Sequence, residues 1–242
     1  MSEVSDKIIL SLDGMELEKS FRLVSQVASR VYAIKVHDLV DYFGGPSLVY
    51  LMKEAGAPRV WVDYKFHDTP STIGFRVSAI CRHKPDILTV HASGGVAMMK
   101  VAVESAVIKH GFAKAEVFAV TLLTSQSEID VLDIYGDNTT SSQIVKRWAL
   151  LARKALVHGV VCSAFELEML SRLPELENMK FIVPGMRSLG KEKHDQWRVD
   201  SPGRAVKEGA THVVIGKQVT RASDPIRAFQ EIEEEIARAL EE

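Results

Sequence analysis

Eight short runs rich in valine, isoleucine and leucine recur along the chain, and most are followed by a longer stretch with helical spacing. The runs are KIILSL (7–12), VYAIKV (31–36), RVWVDY (59–64), DILTVH (86–91), EVFAVTLL (116–123), GVVCS (159–163), KFIVPG (180–185) and HVVIG (212–216). Mostly continuous apolar runs of this kind suit parallel strands covered on both faces. The intervening stretches carry apolar stripes: Leu17, Phe21, Val24 and Ala28 within 16–30, a similar pattern in 100–110, and Ile226, Phe229, Ile232, Ile236 and Leu240 near the end. That last helix is punctuated by Asp224 as N-cap and Pro225 at its first position. Core packing accounts for all of these stripes. No linker or low-complexity segment divides the 242 residues, so the pattern points to one α/β domain over 1–242, a closed (β/α)8 TIM barrel. An open doubly wound sheet is the alternative.

Composition narrows the partners. Apolar content of 46% and charged content of 26% are those of an ordinary globular protein, and a formal net charge of -2 gives no general attraction for nucleic acid. Cys81 and Cys162 both lie in apolar segments, which fits buried thiols in a reducing compartment better than a disulfide framework. The opening MSEVSDKIILSLDG has acids where a secretory signal needs bases, and its apolar run is too short for a membrane span. A cytoplasmic location is the expectation.

In a barrel the chemistry sits at the C-terminal ends of the strands, so polar residues there call for a functional reading. They are Asp13 after the first run, Lys35 at the second, Asp63, Lys65 and Asp68 around the third, His91 at the fourth, and Thr121, Thr124 and Ser125 at the fifth. Asp63 and Lys65, two apart, project to one side of a strand, with Asp68 just beyond. With Lys35 on the adjacent strand, the four alternating charges can form a hydrogen-bonded chain. Flanking carboxylates would keep a buried lysine an ammonium. Surface salt bridging is the plainer account of D-x-K-x-x-D taken alone. The loops after strands seven and eight change the weighting. Pro184-Gly185, Arg187, Gly216 and Lys217 stand where barrels often bind phosphate, and Gln196 in the long seventh loop can reach over a ligand. Asp13 and Thr124 offer groups for a sugar and a heterocycle, and either can equally be a helix cap. The eight histidines show no metal-binding spacing, so no metal is expected.

LSLD (10–13), AIKV (33–36), VDYKFHDTPST (62–72), TVHASGG (89–95), VTLLTS (120–125), VCSAFE (161–166), VPGMR (183–187) and VVIGKQVTRASDP (213–225) together resemble the orotidine 5'-monophosphate decarboxylase family, in order and over nearly the whole chain. The resemblance implies a cofactor-free homodimeric enzyme that converts orotidine 5'-monophosphate to uridine 5'-monophosphate and CO2, the last step of de novo pyrimidine synthesis. Carried over by position, Lys65 protonates C6, Asp63 lies near the scissile carboxylate, and Asp68 and Thr72 are given across the dimer interface. Lys35 and Asp13 would bind the ribose side, Thr124 the pyrimidine, and Arg187, Gln196, Gly216 and Lys217 the phosphate. Where the family usually has arginine after the last strand, this chain has Lys217, which keeps the charge but loses the two-pronged fit to phosphate. His67 receives no role from spacing or resemblance. Metal-dependent sugar-phosphate enzymes of the same suprafamily place an acidic ligand at the end of strand two, where Lys35 would repel a cation. A barrel that binds phospho-ligands without turnover would not need the Asp63, Lys65, Asp68 set.

Overall fold

The computed structural model describes residues 3–106, 115–136, 138–188 and 200–241. Eight parallel strands pair in chain order and close on themselves. They are β1 (Ile8–Ser11), β2 (Ala33–Val36), β3 (Val60–Phe66), β4 (Ile87–His91), β5 (Glu116–Val120), β6 (Gly159–Val161), β7 (Lys180–Val183) and β8 (His212–Ile215). The helices are α1 (Leu17–Val27), α2 (Asp38–Phe43), α3 (Gly45–Glu54), α4 (Pro70–Cys81), α5 (Gly95–Ser105), α6 (Glu128–Tyr135), α7 (Ser141–Lys154), α8 (Ala164–Ser171), α9 (Pro202–Lys207), α10 (Lys217–Thr220) and α11 (Pro225–Glu241). The chain is therefore a (β/α)8 barrel, and the open-sheet alternative falls because β8 hydrogen-bonds to β1.

The strands are apolar on both faces because each face meets a different core. Outward residues such as Leu10, Ile34, Val62 and Val90 pack with the helices in one large cluster. Inward residues Ile9, Ala33, Trp61, Ile87, Phe118 and Ile182 fill the barrel itself. Gly159 makes room for this filling, since a Cβ there would stand 2.7 Å from the Phe118 ring and 2.2 Å from the Lys180 carbonyl oxygen. Two residues further along four neighbouring strands, the inward positions turn polar while remaining buried: Ser11, Lys35, Asp63 and Thr89. The barrel thus has an apolar middle and a polar floor to its C-terminal mouth.

Several strands stop short of the apolar runs that announced them. The leftover residues Leu122, Leu123 and Cys162 become pocket wall. In α1 the buried residues are Ser20, Leu23, Val24 and Val27, while Leu17 and Phe21 are only half-buried, so the helix is turned from the expected stripe. The expected helical stretch 100–110 is helical through Ser105, and residues 107–110 lie outside the described residues. Asp224 caps α11 as expected, its carboxylate accepting from the Arg227 N–H at 3.0 Å. Among the described residues no helix is long and apolar enough to cross a membrane.

Candidate active site

The site is built on an irregularity in β3. Val62 lies opposite Leu88 of β4, but the next paired residue, Phe66, lies opposite Val90. Three residues, Asp63, Tyr64 and Lys65, therefore face the single Thr89. Because two residues are added rather than one, the in-out alternation is kept: Phe66 returns to the outer core while Asp63 faces inward. Lys65 takes a left-handed backbone with φ 47°, a conformation that costs a non-glycine residue about 1–2 kcal/mol.

This geometry produces a continuous ion chain. Lys65 Nζ donates to Asp63 Oδ2 at 2.7 Å, Lys35 Nζ stands 3.3 Å from the same oxygen, and Lys35 donates to Asp13 at 2.7 and 2.9 Å. The other oxygen of Asp63 accepts the Thr89 hydroxyl at 2.6 Å. Burial alone would raise the Asp63 pKa, but Lys35 and Lys65 outweigh it and hold the carboxyl well below the usual range. Burial likewise opposes the charge on Lys35, and Asp63 and Asp13 overcome it, so its pKa is raised. Both groups are charged at neutral pH. His91 is pushed the other way, chiefly by burial and then by the nearby His67 and Lys65.

Asp68 does not join this chain. It is exposed, and its carboxylate accepts from the Thr69 N–H at 2.7 Å, at the start of α4. Asp13 takes the terminal place in the chain instead. Thr72 lies on the first turn of α4 and accepts from the Thr69 hydroxyl at 3.0 Å. His67 is exposed and lies edge-on to His91 with ring centroids 5.5 Å apart.

Across the mouth, the loops after β7 and β8 face the same cavity. Pro184, Gly185, Arg187, Gly216 and Lys217 line it, together with Asp13, Lys35, Asp63, Lys65 and Thr124. Arg187 is buried and its guanidinium donates to the Met186 carbonyl at 2.6 Å. Gly185 has a positive φ of 81°, which lets the chain turn beneath the cavity. Gln218 ties the two loops, its side chain accepting from the Ser188 N–H at 2.9 Å and donating to the Ser188 hydroxyl at 2.8 Å. Gln196 lies outside the described residues. Among the described residues, no group of three or more His, Cys, Asp or Glu is placed to hold a metal ion. Burial raises the thiol of Cys81 to about 11 and pushes that of Cys162 up as well, so both behave as core residues.

Sequence reasoning missed Thr89, His37 and Gln218. His37 Nδ1 lies 2.5 Å from the Asp63 carbonyl oxygen, and the Lys65 N–H donates to Thr89 Oγ1 at 3.1 Å. The only signal for Thr89 was its parity with His91 on the same strand.

The structure thus sets a cationic rim opposite a buried lysine–aspartate chain at the C-terminal mouth of a parallel barrel, and the chain as a whole is similar to known proteins. Residues 6–232 match the model of the orotidine 5'-phosphate decarboxylase / HUMPS family. An orotidine 5'-phosphate decarboxylase of Moorella thermoacetica is 37% identical over 240 residues, covering 96% of this chain and 92% of that protein. One from Saccharophagus degradans is 36% identical over 233 residues, covering 96% of each. The crystal structure of the Lactobacillus acidophilus orotidine 5'-phosphate decarboxylase superposes with a TM-score of 0.80 at 26% identity, covering 95% of this chain and 98% of that one. Matched in fold and in sequence from the first strand into the last helix, the chain belongs to the orotidine 5'-phosphate decarboxylase / HUMPS family.

Proposed function

We propose that the protein decarboxylates orotidine 5'-monophosphate to uridine 5'-monophosphate without a cofactor. The observation that carries this reading is the chain Asp13–Lys35–Asp63–Lys65 at the floor of a cavity whose far rim holds Arg187 and Lys217. The bond between C6 and the carboxylate breaks, CO2 leaves, and the electron pair stays on C6. Lys65 is the one member of the chain that combines a charge-paired ammonium with partial exposure to the cavity, its side chain being 30% accessible. It stabilises the developing carbanion electrostatically and then gives it a proton, which solvent replaces. Asp63, beside the substrate carboxylate, disfavours the ground state more than the carbanion. Asp13 and Lys35 bind the ribose, Thr124 the pyrimidine, and Arg187, Gly216, Lys217 and Gln196 the phosphate, whose binding fixes C6 over Lys65. Lys35 at the end of β2, where a metal-dependent relative would need an acid, favours this activity over the metal-dependent chemistry of the suprafamily.

The active form is a homodimer in which Asp68 and Thr72 serve the partner's site. Support comes from the exposure of Asp68 and from large apolar side chains left in water on the helices that flank β3: Tyr42 and Tyr50 on α2 and α3, and Phe75 on α4, are 75%, 63% and 78% exposed.

The assay is loss of orotidine 5'-monophosphate absorbance in the presence of EDTA. Wild type is expected to turn over, and Lys65→Ala to bind uridine 5'-monophosphate without turning over substrate. Mixed with an equally inactive Asp68→Asn chain, it should regain up to about a quarter of wild-type activity, since random exchange gives half the dimers one intact site. Activity lost on chelation overturns the cofactor-free reading, full activity in Lys65→Ala overturns the proton donor, and absence of rescue overturns the shared site.

A further inference from the structure

We infer that Thr89 is a positioning residue for this reaction: its hydroxyl holds the β3 bulge in the shape that aims Lys65 and Asp63 at the cavity. The inference rests on the decarboxylase reading for its kinetic consequences, while its geometric content stands apart from it.

The bulge leaves backbone groups of Asp63 and Lys65 without strand partners, and buried backbone groups need partners. Two side chains supply them. His37, at the start of α2, meets the Asp63 carbonyl oxygen, and Thr89 accepts the Lys65 N–H. Thr89 alone also reaches the chemistry, because the same oxygen that accepts from Lys65 N–H donates its proton to Asp63 Oδ1. One hydroxyl therefore couples the backbone of the lysine to the carboxylate that its ammonium grips 2.7 Å away. Thr89 is fully buried, so it acts through these two residues and not on a bound molecule.

The function of the double bond is to hold a strained residue. Lys65 sits in the left-handed region, which such a side chain leaves unless its surroundings prevent it. Both Thr89 bonds are needed for that: the N–H bond fixes the peptide before Lys65, and the carboxylate bond fixes the partner of its ammonium. A valine at this position has the same shape and offers neither. The expected displacement of Nζ is small, but a reacting group misplaced by about 1 Å costs roughly 100-fold in rate.

The test compares wild type with Thr89→Val and Thr89→Ser. Thr89→Val should lower kcat roughly 10- to 100-fold with KM and uridine 5'-monophosphate affinity within about threefold of wild type, and Thr89→Ser should keep kcat within about threefold. Equal kcat in Thr89→Val and wild type overturns the inference, as does a serine variant as slow as the valine one, which would mark a packing role. If the valine chain does not fold, Thr89→Ala against Thr89→Ser makes the same comparison. Crystal structures supply a readout that does not depend on turnover. In the variant lacking the hydroxyl, Lys65 should leave its positive φ or break its contact with Asp63, and in Thr89→Ser both should persist. An unmoved Lys65 overturns the inference whether or not the wild type decarboxylates. A wild type inactive on orotidine 5'-monophosphate overturns the proposed function and leaves that structural comparison to decide the inference.

Discussion

At the scale of single residues, the charges do different work according to how they are paired. Lys35 is sunk between two carboxylates and is fixed, whereas Lys217 lines the opposite rim of the cavity half-buried. An ammonium meets a phosphate as a point charge, while a guanidinium offers two parallel donors, a difference of roughly 1 kcal/mol in a charge-assisted contact. Lys217→Arg is therefore expected to lower KM for the phosphorylated substrate about three- to tenfold with kcat unchanged, measured by steady-state kinetics. An unchanged KM would show that Arg187 and the glycine backbone already carry the phosphate. Three members of the charged chain, Lys35, Asp63 and Lys65, were legible in the sequence, because opposite charges two apart at a strand end fall on one side and attract, whereas the fourth place, expected for Asp68, is taken by Asp13. Asp68 lies beyond the strand, exposed at the start of α4, a placement that its spacing from Lys65 did not reveal. Thr89 was hidden: in DILTVH it looks like any β-branched strand former, and only closure of the barrel puts it opposite the bulge.

At the scale of elements, legibility depended on whether the signal was local. The cap and proline that open α11 are written in adjacent residues, and Asp224 performs as expected. The bulge in β3 has no such mark, since WVDYKF alternates without a break, and the irregularity exists only in its pairing with β4. The stripe on α1 was displaced for a related reason: Leu23 and Val27 outcompete Leu17 and Phe21 for burial, a contest settled by neighbours and not by spacing. Capping boxes belong to the readable kind. Thr140 accepts from the Gln143 N–H and Gln143 returns a bond to the Thr140 N–H at 3.0 Å, closing the first turn of α7. Removing it with Thr140→Ala should cost about 1 kcal/mol and lower Tm by roughly 2–4 °C, read by thermal denaturation, with catalysis untouched. A Tm equal to wild type would mean that the bonds from Ser141 to Glu128 hold the helix start without the cap.

At the scale of the whole molecule, the two ends of the barrel are organised oppositely. The C-terminal mouth keeps its charges beside an open cavity, and the N-terminal end carries a polar plug drawn from the starts of β2, β3, β5, β7 and β8. Lys180 pairs with Glu116 at 2.5 Å and donates to the Tyr32 hydroxyl at 3.3 Å, while Arg59 lies over the Tyr32 ring. His212 also packs against Tyr32, with ring centroids 3.9 Å apart. Burial, then the charges of Lys180, Lys7 and Arg59, lower the His212 pKa from 6.5 to about 3. The sign of the consequence is fixed by linkage. Between pH 6.5 and 3 the unfolded chain takes up a proton at this imidazole that the folded chain refuses, so stability falls as pH drops and is fully present above about pH 6.5. Each pH unit in that window removes about 1.4 kcal/mol. His212→Phe keeps the ring against Tyr32 and has nothing to titrate. Urea unfolding at pH 7 and pH 5 should therefore show the wild type losing about 2 kcal/mol more than His212→Phe over that interval. Equal losses in the two proteins would mean that the plug opens enough to hydrate the imidazole, and that the base of the barrel is not sealed.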